Sequence, residues 1–299
     1  MCYNGLKSEF INKGCVLSLR IKNILFGYFL FALLSGIALS IWRTVLIVRY
    51  YDPYKNEYLP PAEPSLKAFG FLLMFVFIIL ATSAFFMLRY EFGKFSASED
   101  QFSVFTSALL GFVFLAIAVF ISCYFKKIID IIEYSDYKYI QLISYLLLFC
   151  CAAYFIFSAA GHARFENARK ALSLATPVWA ITFMISSYMD PMYNYGDYNH
   201  SLCLVAICAL VLFLLYDAGA TVKSKATVPY FVFSLISLVA SAAYIIPNFI
   251  LMAYWELSFG LNHILEAALL GTIFYTCACS RKLCLSVKIR EKKPTKKNI

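Results

Sequence analysis

A chain of 299 residues that is 62% hydrophobic and 14% charged, with mean hydropathy +0.74, carries more apolar surface than a soluble core of that size can hide. Its net charge of +9 does not point to nucleic acid, because eight of the 26 basic residues crowd between Arg281 and Lys297. Such a cluster beside a membrane is the usual cytoplasmic tail drawn to anionic lipid.

A helix needs about 20 apolar residues to cross the hydrocarbon core. Eight stretches qualify: 23–48, 68–88, 103–125, 140–160, 171–189, 201–217, 229–253 and 258–280. Long uncharged runs of this kind satisfy their backbone only as helices, and the strict alternation of a barrel strand is missing. The predicted fold is therefore all-α, a polytopic bundle at 23–280 between a cytoplasmic segment 1–22 and a basic cytoplasmic tail 281–299.

The first run, from Ile24 past Ser40, is too long and begins too late for a signal h-region and reads as a permanent span. Arg43 lies near its outer end, where a long side chain can snorkel to the headgroups. Ala32, Gly36 and Ser40 recur on one face of it, as do Ser237 with Ser241 and Ala267 with Gly271 in later spans. Small residues so placed let helices approach closely, which here favours bundling within the chain over contact between copies.

With the N-terminus inside, the inner segments hold nineteen Lys and Arg and the outer ones seven, so both termini are expected in the cytoplasm. The outer loops are rich in tyrosine: RYYDPYKNEYLPPAEPS, KKIIDIIEYSDYKY and YMDPMYNYGDYNH. An aromatic belt explains much of this. The sharper reading is a surface whose polar groups, Asp52, Glu57, Asp190, Asp197, His200 and Glu256, meet a ligand or partner. Within these loops, Lys126–Tyr137 has the pattern of a short helix lying in the interface.

Tyr-x-Asp-Pro occurs at Tyr50–Pro53 and again at Tyr188–Pro191, and Asp-Pro ends a span sharply. Two copies admit a duplicated four-plus-four arrangement, although the other spans do not align at one offset. The Arg-bearing end of the first span, Asp52-Pro53, Tyr58, the Tyr188–Pro191 loop and the Pro247-containing span together resemble, in layout, uncharacterised multi-pass integral membrane proteins of clostridia-type bacteria. The resemblance implies a bacterial plasma membrane and brings no activity.

In the last span Glu266 is the one formally charged side chain between Glu256 and Arg281. An ionised carboxylate in that position costs several kcal/mol, so it should be neutral, paired or wetted. His263 and Asn262 sit three and four residues earlier, on the same helix face. Imidazole and carboxylate one turn apart can pass a proton; hydrolysis would need a third metal ligand, with His200 or Asp197 the nearest in kind. The Cys277, Cys279 and Cys284 group reads as helix packing ahead of metal binding or lipidation.

The chain lacks G-x-x-x-x-G-K-[ST], G-x-G-x-x-G and H-E-x-x-H, so no nucleotide, metal or other cofactor is called for. The sequence thus predicts a membrane protein in contact with the bilayer. A small-solute or ion permease using Asn262, His263 and Glu266 comes first. A non-catalytic assembly or sensing subunit, bound to a protein partner or to its own copies, comes second, and a membrane enzyme third.

Overall fold

The computed structural model describes residues 2–52, 57–87, 90–92, 100–124, 138–161, 163–189, 198–254 and 261–289, apart from the side chains of 2–19, 57, 90–91, 138, 163, 251–252, 254, 261–265 and 288–289. The interfacial helix expected over 126–137, the repeated Asp-Pro at Asp190–Pro191 and the tail from 290 onward fall outside these residues.

The elements run α1 (Cys2–Tyr50), β1 (Tyr51–Asp52), β2 (Glu57–Tyr58), α2 (Glu63–Phe86), β3 (Tyr90–Phe92), α3 (Gln101–Cys123), α4 (Lys138–Ala160), α5 (Glu166–Leu172), α6 (Ala175–Met189), α7 (Tyr198–Lys223), α8 (Val228–Tyr254), α9 (Leu261–Leu285) and β4 (Val287–Ile289). Among the described residues, seven helical stretches, with α5 and α6 counted together, are long and apolar enough to cross a membrane. The eighth, α9, has 25 residues, about 37 Å at 1.5 Å per residue, and is seated among the others. The protein is an all-α, multi-pass helical bundle.

Among the described residues, two short antiparallel strand pairs mark its faces. β1 pairs with β2 between α1 and α2, and the ring of Tyr58 meets that of Tyr198 at the start of α7. At the opposite face β3 pairs with β4, joining the α2–α3 connection to the chain beyond α9. Arg281 of α9 adds a 3.5 Å ion pair with Asp100 just before α3. β4 also touches α1. The connection after α2 and the chain beyond α9 therefore share a face. Arg164, Arg169, Lys170, Lys223, Lys225, Arg281 and Lys282 lie at that same face, which the charge rule makes the inner one.

Helix neighbours close into a ring: α3 on α4, α4 on α6, α6 on α7, α7 on α8, α8 on α9, and α9 back on α3. α1 and α2 pack outside it, both against α8. The arrangement is one ring from α3 to α9. Aromatic side chains fill the middle. Phe114 stacks on Phe155 at 5.6 Å, Trp179 meets Phe114 edge-on at 4.8 Å, and Tyr275 meets Phe155 edge-on at 5.0 Å. α8 is the most enclosed helix, with 78% of its apolar window buried against 28–56% for the other six.

The small residues do serve bundling. A Cβ on Gly36 would touch Ala242 of α8, and one on Gly271 would meet Leu110 of α3. Gly111 is the least forgiving case, since a Cβ there would lie 2.8 Å from Ile156 Cγ1 and 3.1 Å from the Ile156 backbone nitrogen. Backbone cannot yield as a side-chain tip can. Gly111→Val should destabilise the bundle by about 1–3 kcal/mol, read as earlier unfolding of purified protein in a denaturing-detergent titration. Gly219→Ala, at a site with nothing within 4 Å, should not.

Candidate functional site

α8 owes its central place to a polar stripe. Tyr230, Ser234, Ser237, Ser241, Tyr244 and Asn248 follow one another at intervals of four and three, so they share one helix face. The first five are buried and Asn248 is half-buried. From Tyr230 to Tyr244 the stripe rises through 14 residue steps, about 21 Å of helix axis. Each tyrosine at its ends meets a buried acid.

At the outer end the Tyr244 hydroxyl donates to Glu266 Oε1 on α9. Glu266 is 2% exposed, and Cys203 of α7 lies against the same hydroxyl. Asn262 and His263 occupy the preceding turn of α9, but their side chains are outside the described residues. One partner of Glu266 thus comes from the neighbouring helix.

Arg43 completes this end. Snorkelling to the headgroups is not what it does; its side chain is 0% exposed, inserted between helices. The cause lies on α8. Pro247 has no N–H, so the carbonyl of Ala243, four residues back, lacks its helical donor. Arg43 Nη1 donates to that carbonyl at 3.0 Å and to Tyr244 O at 2.7 Å, while Ser40 Oγ reaches Ala242 O at 2.8 Å. Nη2 donates to Asn199 Oδ1 of α7 and to Asn248 Oδ1, both at 2.8 Å. The guanidinium carbon also sits 5.4 Å from the Tyr244 ring centroid, a cation–π contact. One buried cation thus ties α1, α7 and α8 together beside the Glu266 pair.

At the inner end Asp217 of α7 is 0% exposed inside the ring. Three tyrosines from three helices converge on it: Tyr230 donates to Oδ1 at 2.6 Å, Tyr154 to Oδ2 at 3.0 Å, and Tyr275 spans both oxygens at 3.2 and 3.1 Å. Tyr154 is also hydrogen-bonded to Thr221 Oγ1 at 3.0 Å. Toward the inner face a small pocket opens beside the cluster, lined by Ser103, Ser107, Ser158, Arg169 and Thr221 with Tyr154, Tyr275 and Cys279.

Asp217 is not among the residues that the sequence singles out: it falls at the last position of the stretch 201–217, where it reads as a boundary charge. The helix instead runs on to Lys223, which carries Asp217 inward. Of the outer-face candidates, Asp52 lies in β1 opposite Glu57. His200 is buried in the first turn of α7, its ring 6.4 Å from that of Tyr188, and is not presented outward. Asp190, Asp197 and Glu256 fall outside the described residues. Among the described residues no three His, Cys, Asp or Glu side chains are grouped to hold a metal. Cys279 and Cys284 are buried in helix contacts.

Arg43→Lys should cost about 1–3 kcal/mol, because one ammonium cannot span acceptors that the guanidinium fork reaches together. Restoring the missing backbone donor with Pro247→Ala should shrink that cost, which thermal unfolding of the two single variants and the double variant would reveal as coupling.

No protein-family model matches this sequence, and it has no match among curated proteins or solved structures.

Proposed function

We propose that this chain is a permease for a small solute or ion in a bacterial plasma membrane. The observation that carries this reading is the pair of buried acids, Glu266 and Asp217, at opposite ends of one hydroxyl-bearing stripe inside the helix ring. Ionisable groups held in the hydrocarbon are costly and most often mark the path of a substrate or coupling ion. Tyrosine and serine hydroxyls are both donors and acceptors, so the stripe can accompany a charge without adding one. Pro247 interrupts the backbone beside the outer acid, as the interrupted helices of transporters do at their sites.

A second reading, a non-catalytic assembly or sensing subunit, draws on the closed outer cap. Tyr51, Tyr58 and Tyr198 stack edge-to-face there, and Tyr58 donates to Asn199. That reading expects a co-purifying protein after mild crosslinking, lost when Tyr193, Tyr195 and Tyr198 are changed to Ala.

The permease reading is tested in proteoliposomes holding a pH-sensitive dye, challenged with a mixture of amino acids, sugars and nucleosides under an imposed potential. Solute-dependent proton or cation flux is expected from the native chain. Glu266→Gln, which keeps an acceptor for Tyr244, should reduce that flux to background without loss of folded protein. Undiminished flux in this variant would sink the role given to Glu266.

A further inference from the structure

The pocket beside Asp217 has features that a packing role does not need. Three of its lining residues stand at the inner ends of their helices: Ser103 two residues into α3, Ser158 two from the end of α4, and Thr221 two from the end of α7. The pocket therefore lies toward the inner end of the ring, and Tyr154 and Tyr275, which line it, stand between it and Asp217. Ser158 is only 4% exposed, yet its Oγ has no hydrogen-bond partner, and Arg169 Nε is likewise buried and unpartnered. Polar atoms left so in a small pocket are the usual seats of ordered water.

We propose that Asp217 is a proton-exchanging carboxyl, loaded from the inner face through this pocket by a relay of water, Thr221 and Tyr154. The relay follows from the hydrogen-bond directions. With Asp217 ionised, Tyr230, Tyr154 and Tyr275 all donate to it, and Thr221 can donate to Tyr154. Protonation reverses one arm. A pocket hydronium gives its proton to Thr221 Oγ1, Thr221 passes its own to Tyr154 Oη, and Tyr154 passes its own to Asp217 Oδ2. Each hydroxyl gains one hydrogen and loses one, and the hydronium becomes water. The new carboxyl O–H then donates to Tyr154, which donates to Thr221, so neither state leaves a group on this arm unpaired.

The groups facing Asp217 favour a proton over a metal cation. From the packed helices these are Tyr154, Tyr230, Tyr275 and Cys279, with Arg169 the charged residue of the pocket lining. A cation such as Na⁺ would meet the Arg169 charge and find both carboxylate oxygens already bonded to tyrosines. The assignment names the coupling ion of the proposed permease and rests on that reading for its purpose. The exchange itself is measurable without any solute.

The test is infrared difference spectroscopy of the full chain in nanodiscs, stepped in pH over about 4–9. A protonated-carboxyl band is expected that shifts on ¹³C-aspartate labelling of the unmodified protein, is lost in Asp217→Asn and persists in Glu266→Gln. Thr221→Val keeps the shape but removes the relay hydroxyl, and should slow appearance of the band after a pH jump at least about tenfold. No aspartate band anywhere in the range would overturn the proposal, and the labelled native protein settles this even if Asp217→Asn fails to fold. An unchanged rate in folded Thr221→Val would overturn the relay. A titrating band in a chain that moves no solute would instead count against the permease reading and leave the exchange standing.

Discussion

The outer half of the bundle depends on a charge placed where a backbone bond is missing. Pro247 leaves α8 one donor short in the middle of an apolar helix, and an orphan carbonyl in hydrocarbon costs several kcal/mol. Arg43 supplies that donor from another helix. A buried guanidinium is itself expensive, and the expense is offset because its two terminal nitrogens meet backbone carbonyls and two asparagine oxygens at 2.7–3.0 Å. Each defect is tolerable because of the other. Their meeting sets the register of α1 against α8 and holds Tyr244, which in turn holds Glu266.

The inner half solves the same kind of problem with neutral groups. Asp217 is surrounded by phenols, which donate hydrogen bonds without adding charge and whose rings pack as well as phenylalanine. Tyr275 shows both functions at once, its hydroxyl on Asp217 and its ring on Phe155 and Phe213. The tyrosine abundance of this chain thus has two sources. Some rings stack in the outer cap around Tyr58, while Tyr154, Tyr230, Tyr244 and Tyr275 reach buried acids inside the bundle.

The sequence made the membrane bundle legible because apolar length is an unambiguous signal, and it made Glu266 legible because nothing around it is charged. Arg43 was harder, since a basic residue near a helix end has a ready explanation in snorkelling. The counter-signal was Pro247, two hundred residues away: a proline inside a span announces a carbonyl that needs a donor from elsewhere. Asp217 hid behind a boundary, because hydropathy falls after Tyr216 although Ala218, Gly219 and Ala220 continue the helix. The stripe on α8 was visible as a four–three spacing of hydroxyls. Ser237 and Ser241 read only as small residues until the tyrosines at its ends were seen to meet acids.

Arg43 has a further consequence, for the order of events at the ribosome. Its partners Asn199, Ala243, Tyr244 and Asn248 lie 156 to 205 residues downstream. At ordinary rates of synthesis that is roughly 10–40 s during which the guanidinium has none of them. In that interval its long stem can carry the charge to the nearest phosphate headgroups. Snorkelling thus describes the nascent chain, and insertion describes the finished one. The arrival of α8 moves a cation from the lipid surface into the protein, so the last third of the chain completes the placement of the first helix.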